Sequence, residues 1–375
     1  MSTPLRLILD APWCVAAPTL LVRGTARVRQ AVRMRLRDAD GTVGLGEALP
    51  LPGYNRDDAA IAGRALAAIA ARVAAAGGLD VPDAAVTGPV AATRLSAALA
   101  PYAALLAAAP SARFALECAL VDLLARREGV SAAHWLAGGR TPQRVAVGVL
   151  LPDDERGAIA VAAEAAARGH AVLKLKIARS DRTQQQEDAL LAAVRAAADE
   201  ACAGDGRRPR LRLDANGALA PAMAAGRLAA LVRHGVELVE EPVAGAALLT
   251  LPALPLPWAA DESLADPGFA EALLALPPGR RPAALVLKPA QLGLARCLTL
   301  ADAAATRGIG LIVTHSLDGD LGLAAACALA AALPVPPWPC GLAPHPGLRH
   351  PPPAQPWLSA PASPGLGIDD EGAAR

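Results

Sequence analysis

The stretch VLKLKIA at residues 172–178 places Lys174 and Lys176 one residue apart inside an otherwise apolar segment. Its length and its aliphatic residues predict a buried strand. Side chains at positions i and i+2 of a strand point to the same side, so the two lysines project together while Leu173 and Leu175 face away. Burial disfavours an ammonium group unless carboxylates lie opposite it. We therefore expect acidic residues to lie near this strand.

Similar β-rich runs recur from about residue 142 onward, separated by loops and alanine-rich amphipathic helices. Repeated βα units predict a parallel sheet, and about eight of them predict a closed (β/α)8-type barrel. An open doubly wound sheet is the alternative, but no glycine-rich dinucleotide fingerprint follows an early strand. The candidate strands lie at residues 144–150, 171–177, 210–215, 236–240, 257–262, 283–289, 310–315 and, more weakly, 338–343.

The chain before the barrel has a different pattern, in which short strand-like stretches alternate with alanine-rich helical segments. This mixture predicts an α+β domain at residues 1–105, so the fold class is α/β with a (β/α)8-type barrel at residues 106–343. The C-terminal tail at residues 344–375 is a candidate to pack back on the N-terminal domain. The apolar run at residues 321–335 is shorter than the ~20 residues that span a bilayer, and it predicts a buried helix.

Acidic residues do follow the lysine strand, at the ends of the next three predicted strands. These are Asp214, Glu240 and Asp261, which we call the acidic triad; Asn216 and Ser263 lie on the same faces as Asp214 and Asp261. Three carboxylates that converge at one mouth of a barrel repel each other unless a cation lies among them. Oxygen ligands without His or Cys favour Mg²⁺, with Mn²⁺ as a substitute, over zinc.

The next predicted strand ends at Lys288, so the acidic triad stands between lysines. This arrangement suits removal of a proton next to a carboxylate, because the developing negative charge needs positive charge already in place. A lysine is protonated at neutral pH, so a lysine base has to be favoured in its neutral form by burial, by a neighbouring lysine and by the metal. We therefore assign Lys174 the supporting role of keeping Lys176 neutral. Taken alone, the lysine pair is also compatible with a solvent-facing edge strand.

Composition narrows the class of partner. The formal net charge is +1, which gives no long-range attraction to nucleic acid or to an anionic membrane and leaves a small carboxylate molecule as the expected substrate. Six cysteines without CxxC spacing argue against zinc and against a disulfide framework, and the N-terminus lacks the pattern of a signal peptide. A cytoplasmic location is expected, and nothing in the sequence sets the oligomeric state.

These motifs resemble the enolase superfamily and, within it, the muconate-lactonizing enzyme subgroup. The resemblance runs through GLGEALPLPGY at 44–54, ARFALECALVDLLAR at 112–126 and WLAGG at 135–139, and then through KLK, DAN, EEP, DES and LKP in that order. It implies that the N-terminal domain caps the barrel and helps to choose the substrate. It also implies that Lys176 is the base, that the acidic triad binds magnesium, and that Lys288 lies on the opposite face.

Within that subgroup the segment from residue 285 to 333 looks most like the o-succinylbenzoate synthases of menaquinone biosynthesis. The resemblance implies that Lys176 removes the proton next to the ring carboxylate of 2-succinyl-6-hydroxy-2,4-cyclohexadiene-1-carboxylate. Loss of the hydroxyl group as water follows and gives 2-succinylbenzoate, while Lys288 supports the developing charge. The enzyme is then a carbon-oxygen lyase.

Other functions stay open at this point. The segment THSLDGDLG departs from the group's usual pattern, and Asp318 and Asp320 could hold an ammonium group, as an N-acylamino acid racemase or a dipeptide epimerase requires. A muconate-type cycloisomerase shares the same partial reaction, and a metal-free barrel that acts as a binding module is the non-enzyme alternative. Candidate substrate contacts are Ser263, His315, Ser316, Asp318 and Tyr54, although Asp318 could cap the next helix and His315 could serve only in hydrogen bonding.

Overall fold

The computed structural model describes residues 5–22, 25–82, 90–204, 206–343, 355–359 and 361–368. An antiparallel sheet forms first, with strand order β2-β3-β1-β5 and with β4 paired to β3. Its strands are β1 (Leu5–Leu9), β2 (Trp13–Val22), β3 (Thr25–Arg37), β4 (Val43–Ala48) and β5 (Leu79–Val81). The helices of this part are α1 (Ala59–Ala75), α2 (Val90–Leu99), α3 (Ala103–Leu106), α4 (Pro110–Arg127) and α5 (Ala132–Leu136), with a 3-10 helix at Ala100–Tyr102.

Helix α4 joins the N-terminal domain to the barrel. It is buried on nearly all sides, because β4 and α1 pack on it from one direction. Three barrel helices pack on it from another, at Pro289–Leu292, Leu294–Ala305 and Asp320–Ala332. Gly44 and Gly46 in β4 allow this packing, since a Cβ at either position would overlap the backbone of α4. The segment ARFALECALVDLLAR is therefore mostly apolar and buried, and its acids Glu117 and Asp122 are buried with it.

The barrel strands run in parallel and in chain order from β7 to β13. The short strand β6 (Val145–Ala146) precedes them in the chain. The barrel strands are β7 (Val149–Leu150), β8 (Val172–Lys176), β9 (Arg210–Asp214), β10 (Val236–Glu240), β11 (Trp258–Ala260), β12 (Ala284–Leu287) and β13 (Gly310–Val313). The outer helices are α6 (Glu155–Ala167), α7 (Gln184–Ala201), α8 (Pro221–Leu231), α9 (Phe269–Leu274), α10 (Pro289–Leu292), α11 (Leu294–Ala305) and α12 (Asp320–Ala332). Short 3-10 helices lie at Val232–His234, Gly245–Thr250, Glu262–Ala265 and Pro278–Arg280.

The eighth stave closes the barrel through single parallel bridges rather than through a full strand. Cys340 bridges Val147, and Gly341 bridges Thr314 at the end of β13, so the weak candidate at residues 338–343 does fill the gap. The first predicted strand, 144–150, is divided into β6 and β7. The reason is that Val147 N donates to Pro356 O and Gly148 N donates to Cys340 O, so the middle of the strand pairs with C-terminal segments instead of with β8.

The predicted (β/α)8-type barrel with an N-terminal α+β domain is confirmed, and the apolar run at 321–335 forms the buried helix α12. In the described part of the C-terminal tail, β14 (Trp357–Leu358) pairs with β6, and Leu366 N donates to Asp122 in α4. Residues 344–354, 360 and 369–375 of that tail lie outside the described residues. The predicted domain limit at residue 105 stays a prediction. Among the described helices, none is long and apolar enough to cross a membrane.

The close contact between β4 and α4 makes a stability prediction. We expect Gly46→Ala to lower the free energy of unfolding by about 1–3 kcal/mol, because the added methyl group meets the backbone carbonyl of Ala115. Gly226→Ala in α8 is the matched control: a Cβ there has no neighbour within 4 Å, so the same change should raise stability by about 0.5–1 kcal/mol. Urea unfolding measures both, and an equal effect of the two changes contradicts the packing argument.

A buried acid at the same joint makes a pH prediction. Glu117 in α4 accepts hydrogen bonds from the backbone N–H groups of Leu294 and Ala295 at the start of α11. Burial raises the pKa of Glu117 to about 7, and this outweighs the attraction of Arg113 and of the two backbone donors. The folded protein therefore holds this proton more tightly than the unfolded chain does, where the pKa is 4.5.

The contribution of Glu117 to stability should thus be fully present below pH ~4.5 and should be lost as pH rises toward 7, with a slope of at most about 1.4 kcal/mol per pH unit. We expect Glu117→Gln, which keeps an oxygen acceptor, to remove this slope. Free energies of unfolding for both proteins at pH 5, 6, 7 and 8 give the difference between them. A difference that does not vary with pH would rule out this role for Glu117.

Candidate active site

The carboxyl ends of the barrel strands meet at one mouth, where a cavity of about 1170 Å³ lies between the barrel and the N-terminal domain. Parallel register brings the polar strand ends to the same level: Lys176 is paired with Asp214, and Asp214 with Glu240. Asp261 follows β11 directly, and Lys288 follows β12. The fold therefore assembles the residues that the sequence places at successive strand ends.

The acidic triad forms a compact buried cluster. One carboxylate oxygen each from Asp214, Glu240 and Asp261 lies within 4.8 Å of the others, and all three residues are at most 3% exposed. Three like charges at this separation in a poorly solvated site repel each other strongly. Positive charge must therefore lie close to them for all three to be ionised.

Two lysines supply part of this charge. Lys174 Nζ lies 2.9 Å from Asp214 Oδ2 and also pairs with Glu240, and Lys288 Nζ lies 2.8 Å from Asp261 Oδ2. Burial lowers the pKa of Lys174, but the triad outweighs it and the pKa is raised; the same balance, with Asp261 as its largest attraction, raises the pKa of Lys288. Both amines are therefore ammonium ions.

The acids respond unequally to the same surroundings. Burial raises the pKa of Asp214, yet attraction to Lys174 and the other two lysines outweighs it, so this pKa is lowered. Burial dominates at the other two acids: the pKa of Glu240 is raised despite Lys174, and that of Asp261 is raised well above its usual value despite Lys288. The two ammonium ions thus leave part of the triad's charge uncompensated.

The triad fits a hard divalent cation. Asp261 Oδ1 is buried without a hydrogen-bond partner in the part of the chain that the structure describes, and Oδ2 is held by the ion pair with Lys288. Buried acceptors without donors are costly, and a cation bound by the triad would satisfy them. Three carboxylates without His or Cys suit Mg²⁺ or Mn²⁺. The triad could therefore hold a metal ion of this class.

Lys176 is not part of these ion pairs and faces the cavity. Its Nζ lies 3.4 Å from the hydroxyl oxygen of Tyr54 and 5.7 Å from the centre of the Tyr54 ring, which approaches from the N-terminal domain. Lys176 ends the second barrel stave and Lys288 follows the sixth, so the two amines stand on opposite walls with the acidic triad between them.

Among the other predicted residues, His315 and Ser316 line the cavity. His315 Nδ1 accepts a hydrogen bond from Leu317 N at 3.1 Å, and Nε2 lies 3.0 Å from the carbonyl oxygen of Ala343. Nδ1 must therefore be unprotonated and Nε2 must carry the proton, so both ring nitrogens serve the backbone. Ser316 Oγ is buried and has no hydrogen-bond partner among the residues that the structure describes, which leaves it available to a substrate.

Three further predicted residues have well-defined contacts. Asn216 lines the cavity and donates to Glu262 Oε1 at 3.0 Å. Ser263 and Asp318 are not among the cavity-lining residues: the Ser263 hydroxyl donates to Glu241, and an Asp318 oxygen accepts from Ser316 N at 3.0 Å. Asp318 does not cap α12, whose first turn has no side-chain cap. Substrate contact by Ser263 or Asp318 stays a prediction, as does a role for Asp320.

Some residues of the site were missed in the sequence. Glu241 accepts from Asp261 N at 2.7 Å and from Ser263 N at 3.2 Å, so it holds the segment that carries the third acid. Arg27 and Arg29 of β3 also line the cavity, and the alternation RVR at 27–29 is the signal that could have found them. A second signal is that Lys174, Lys176 and Lys288 are the three lysines of the chain, whose other basic residues are all arginines.

Comparisons with known proteins agree with this architecture. The family described as "Mandelate racemase / muconate lactonizing enzyme, N-terminal domain" matches residues 6–137, and "Enolase C-terminal domain-like" matches residues 158–372. An o-succinylbenzoate synthase from Desulfotalea psychrophila is 36% identical over 226 residues, which cover 58% of this chain and 57% of that protein. The alignments span little more than half the length of the curated relatives that the chain matches.

Solved structures show the same fold at lower identity. Muconate cycloisomerase from Pseudomonas fluorescens superposes with a TM-score of 0.75 at 24% identity and covers 98% of this chain and 97% of that chain. A dipeptide epimerase from Enterococcus faecalis superposes with a TM-score of 0.74 at 22% identity and covers 97% of this chain and 99% of that chain. At this identity the similarity concerns the fold alone.

The geometry of the acidic triad predicts that Mg²⁺ affinity falls when one of its three carboxylates is replaced. Asp261→Asn should weaken Mg²⁺ binding by at least about 100-fold, because it removes the charge of a ligand. Loss of a residue that only hydrogen-bonds a metal ligand already lowers metal affinity by about tenfold. Glu262→Gln is the matched control: this carboxylate contacts Asn216 and Lys288 instead, so affinity should fall less than about tenfold. Isothermal titration calorimetry gives both affinities, and equal losses in the two variants would argue against the triad as the binding site.

Proposed function

Because the chain belongs to the mandelate racemase and muconate lactonizing enzyme family of the enolase superfamily, we propose that it is a magnesium-dependent lyase of the o-succinylbenzoate synthase type. The observation that carries this proposal is the pair of lysines, Lys176 and Lys288, on opposite walls of the cavity with the acidic triad between them. The identity to a curated synthase supports the choice of substrate. The product would serve menaquinone biosynthesis, and a cytoplasmic setting stays a prediction from the cysteine spacing.

The proposed reaction is the loss of one water molecule from the succinyl-hydroxycyclohexadiene carboxylate. Neutral Lys176 takes the proton from the carbon next to the ring carboxylate, and the ammonium so formed returns a proton to the departing hydroxyl group. The bond to hydrogen and the bond to oxygen both break, a ring double bond forms, and 2-succinylbenzoate and water are released. The lysine ends in the state in which it began, so no other reactant is required.

The residues around Lys176 suit this task. Lys174, two residues before Lys176 in β8, is held as an ammonium by Asp214 and Glu240. Its positive charge disfavours a second positive charge on Lys176 beside it. Lys288 would place a fixed positive charge on the other face of the substrate. A magnesium ion bound by the triad would add positive charge next to the substrate carboxylate. Arg, with its permanently protonated guanidinium, could not take the place of Lys176.

Other reactions of the family share the same partial reaction, the exchange of a proton next to a carboxylate. In an N-acylamino acid racemase or a dipeptide epimerase, Lys176 and Lys288 would each exchange a proton with the substrate, and a muconate-type cycloisomerase would use one lysine. The geometry of two opposed amines is compatible with each of these. The roles of the lysines therefore separate a synthase from a racemase.

The central test follows ultraviolet absorbance as the cyclohexadiene substrate is converted in the presence of Mg²⁺. We expect Lys176→Ala to lower the turnover rate by a factor of about 10²–10⁴, the usual contribution of a general base. Lys176→Arg is the decisive control, since it keeps the charge but gives up no proton, and it should be as inactive as Lys176→Ala. Turnover by Lys176→Arg would show that the side chain at position 176 acts through its charge and not as a base. If the wild type does not convert this substrate, the result favours an epimerase.

A second experiment uses the opposite lysine. In a synthase Lys288 acts through its charge, so Lys288→Arg should keep more of the synthase rate than Lys288→Ala does. In a racemase or epimerase Lys288 must release its proton, so both variants should be equally inactive with N-acylamino acid and dipeptide substrates. Measuring the two variants on all three substrates distinguishes these roles.

A further inference from the structure

A short loop of the N-terminal domain, residues 51–57, carries Tyr54 over the mouth of the barrel. Its first turn is closed by Leu51 O, which accepts from Tyr54 N at 3.1 Å and from Asn55 N at 3.0 Å, and by Leu51 N, which donates to Asn55 Oδ1 at 2.9 Å. Its last residue, Asp57, accepts from Ser111 N at 3.0 Å at the start of α4. The first turn of this capping loop is therefore closed by its own hydrogen bonds, and its last residue is bound to α4.

The contact that the loop makes with Lys176 is weak by itself. The Tyr54 hydroxyl is at the long end of hydrogen-bond distance from Lys176 Nζ, and Tyr54 is 46% exposed. A long, partly exposed contact of this kind between an amine and a tyrosine contributes little by itself. Some other interaction must help to hold Tyr54 at this place.

Arg56 provides that interaction on the other side of the mouth. Its guanidinium pairs with the carboxylate of Asp266, which lies 210 residues further along the chain in the barrel. Asp266 follows the 3-10 helix Glu262–Ala265, and Asp266 N donates to Ser263 O at 3.1 Å. That 3-10 helix begins directly after Asp261, so the ion pair connects the capping loop to the segment that carries the third acid of the triad.

We propose that Arg56 and Asp266 are positioning residues, whose ion pair holds the capping loop closed over the cavity and thereby keeps Tyr54 against Lys176. The proposal rests on the proposed function in that Lys176 is taken as the base. Both partners are half exposed, so the ion pair is modest and is screened by salt, which suits a contact that must open for substrate and product.

The test compares Arg56→Gln, Asp266→Asn and the exchanged pair Arg56→Asp with Asp266→Arg. Hydrogen exchange of residues 51–57 should speed up by on the order of two- to fivefold in each single variant, as expected for an exposed ion pair, and should return to the wild-type rate in the exchanged pair. Arg6→Gln is the matched control, because its ion pair with Asp80 is similarly exposed but remote from the cavity, and it should leave this loop unchanged.

The contact with Lys176 has a readout of its own, because the chain has three lysines. Reductive methylation followed by peptide mass spectrometry should show faster modification of Lys176 in both single variants, with restoration in the exchanged pair and with no change at Lys174 or Lys288. If the protein converts the cyclohexadiene substrate, kcat/KM should fall by a similar factor in both single variants. At 1 M salt the wild type should behave like them.

Unchanged loop exchange and unchanged Lys176 modification in the single variants would overturn the proposal, as would an exchanged pair that is worse than either single variant. Hydrogen exchange of the loop and methylation of Lys176 can both be measured whether or not the protein converts the substrate. A wild type that fails to convert the substrate therefore refutes the proposed function, while the same two measurements still decide whether the ion pair holds the loop.

Discussion

The site depends on balancing the charge of three carboxylates that are buried together. Asp214, Glu240 and Asp261 are brought within 4.8 Å of one another by the ends of adjacent parallel strands. Lys174 and Lys288 offset part of their repulsion, and Asp261 Oδ1 has no hydrogen-bond partner among the described residues. A divalent cation bound by the triad would complete this balance, and the ion pairs with the acids hold Lys174 and Lys288 in place. The acidic triad and these two lysines therefore form one electrostatic arrangement.

The choice of lysine at these positions has a chemical reason. The chain uses arginine for all its other basic residues, yet it has lysine at the three places around the triad. A guanidinium stays protonated under all ordinary conditions, whereas an amine can give up its proton when burial and neighbouring charge oppose it. A lysine at position 176 can therefore serve as a base, and those at 174 and 288 are compact point charges that fit between carboxylates.

Much of the fold and of the polar cluster could be predicted because both follow from local periodicity. The period of two in VLKLKIA, and the acids at the ends of the next three strands, predict side chains that meet at one mouth. The division of the first strand could not be predicted, since it depends on Pro356 and Cys340 far along the chain. The role of Glu241 could not be predicted either, since it accepts from the backbone of Asp261, twenty residues further on. Asp318 was open between a helix cap and a substrate contact, and its carboxylate instead accepts from Ser316 N, two residues before it.

The most direct test of the central claim is a crystal structure of the protein grown with Mn²⁺, with anomalous scattering measured at the manganese edge. The charge balance described above predicts one strong anomalous peak at about 2.2 Å from an oxygen of each of Asp214, Glu240 and Asp261, with Lys174 displaced from at least one of its two partners. An anomalous map without a peak at the triad, with Lys174 still paired to both Asp214 and Glu240 at saturating Mn²⁺, would contradict it.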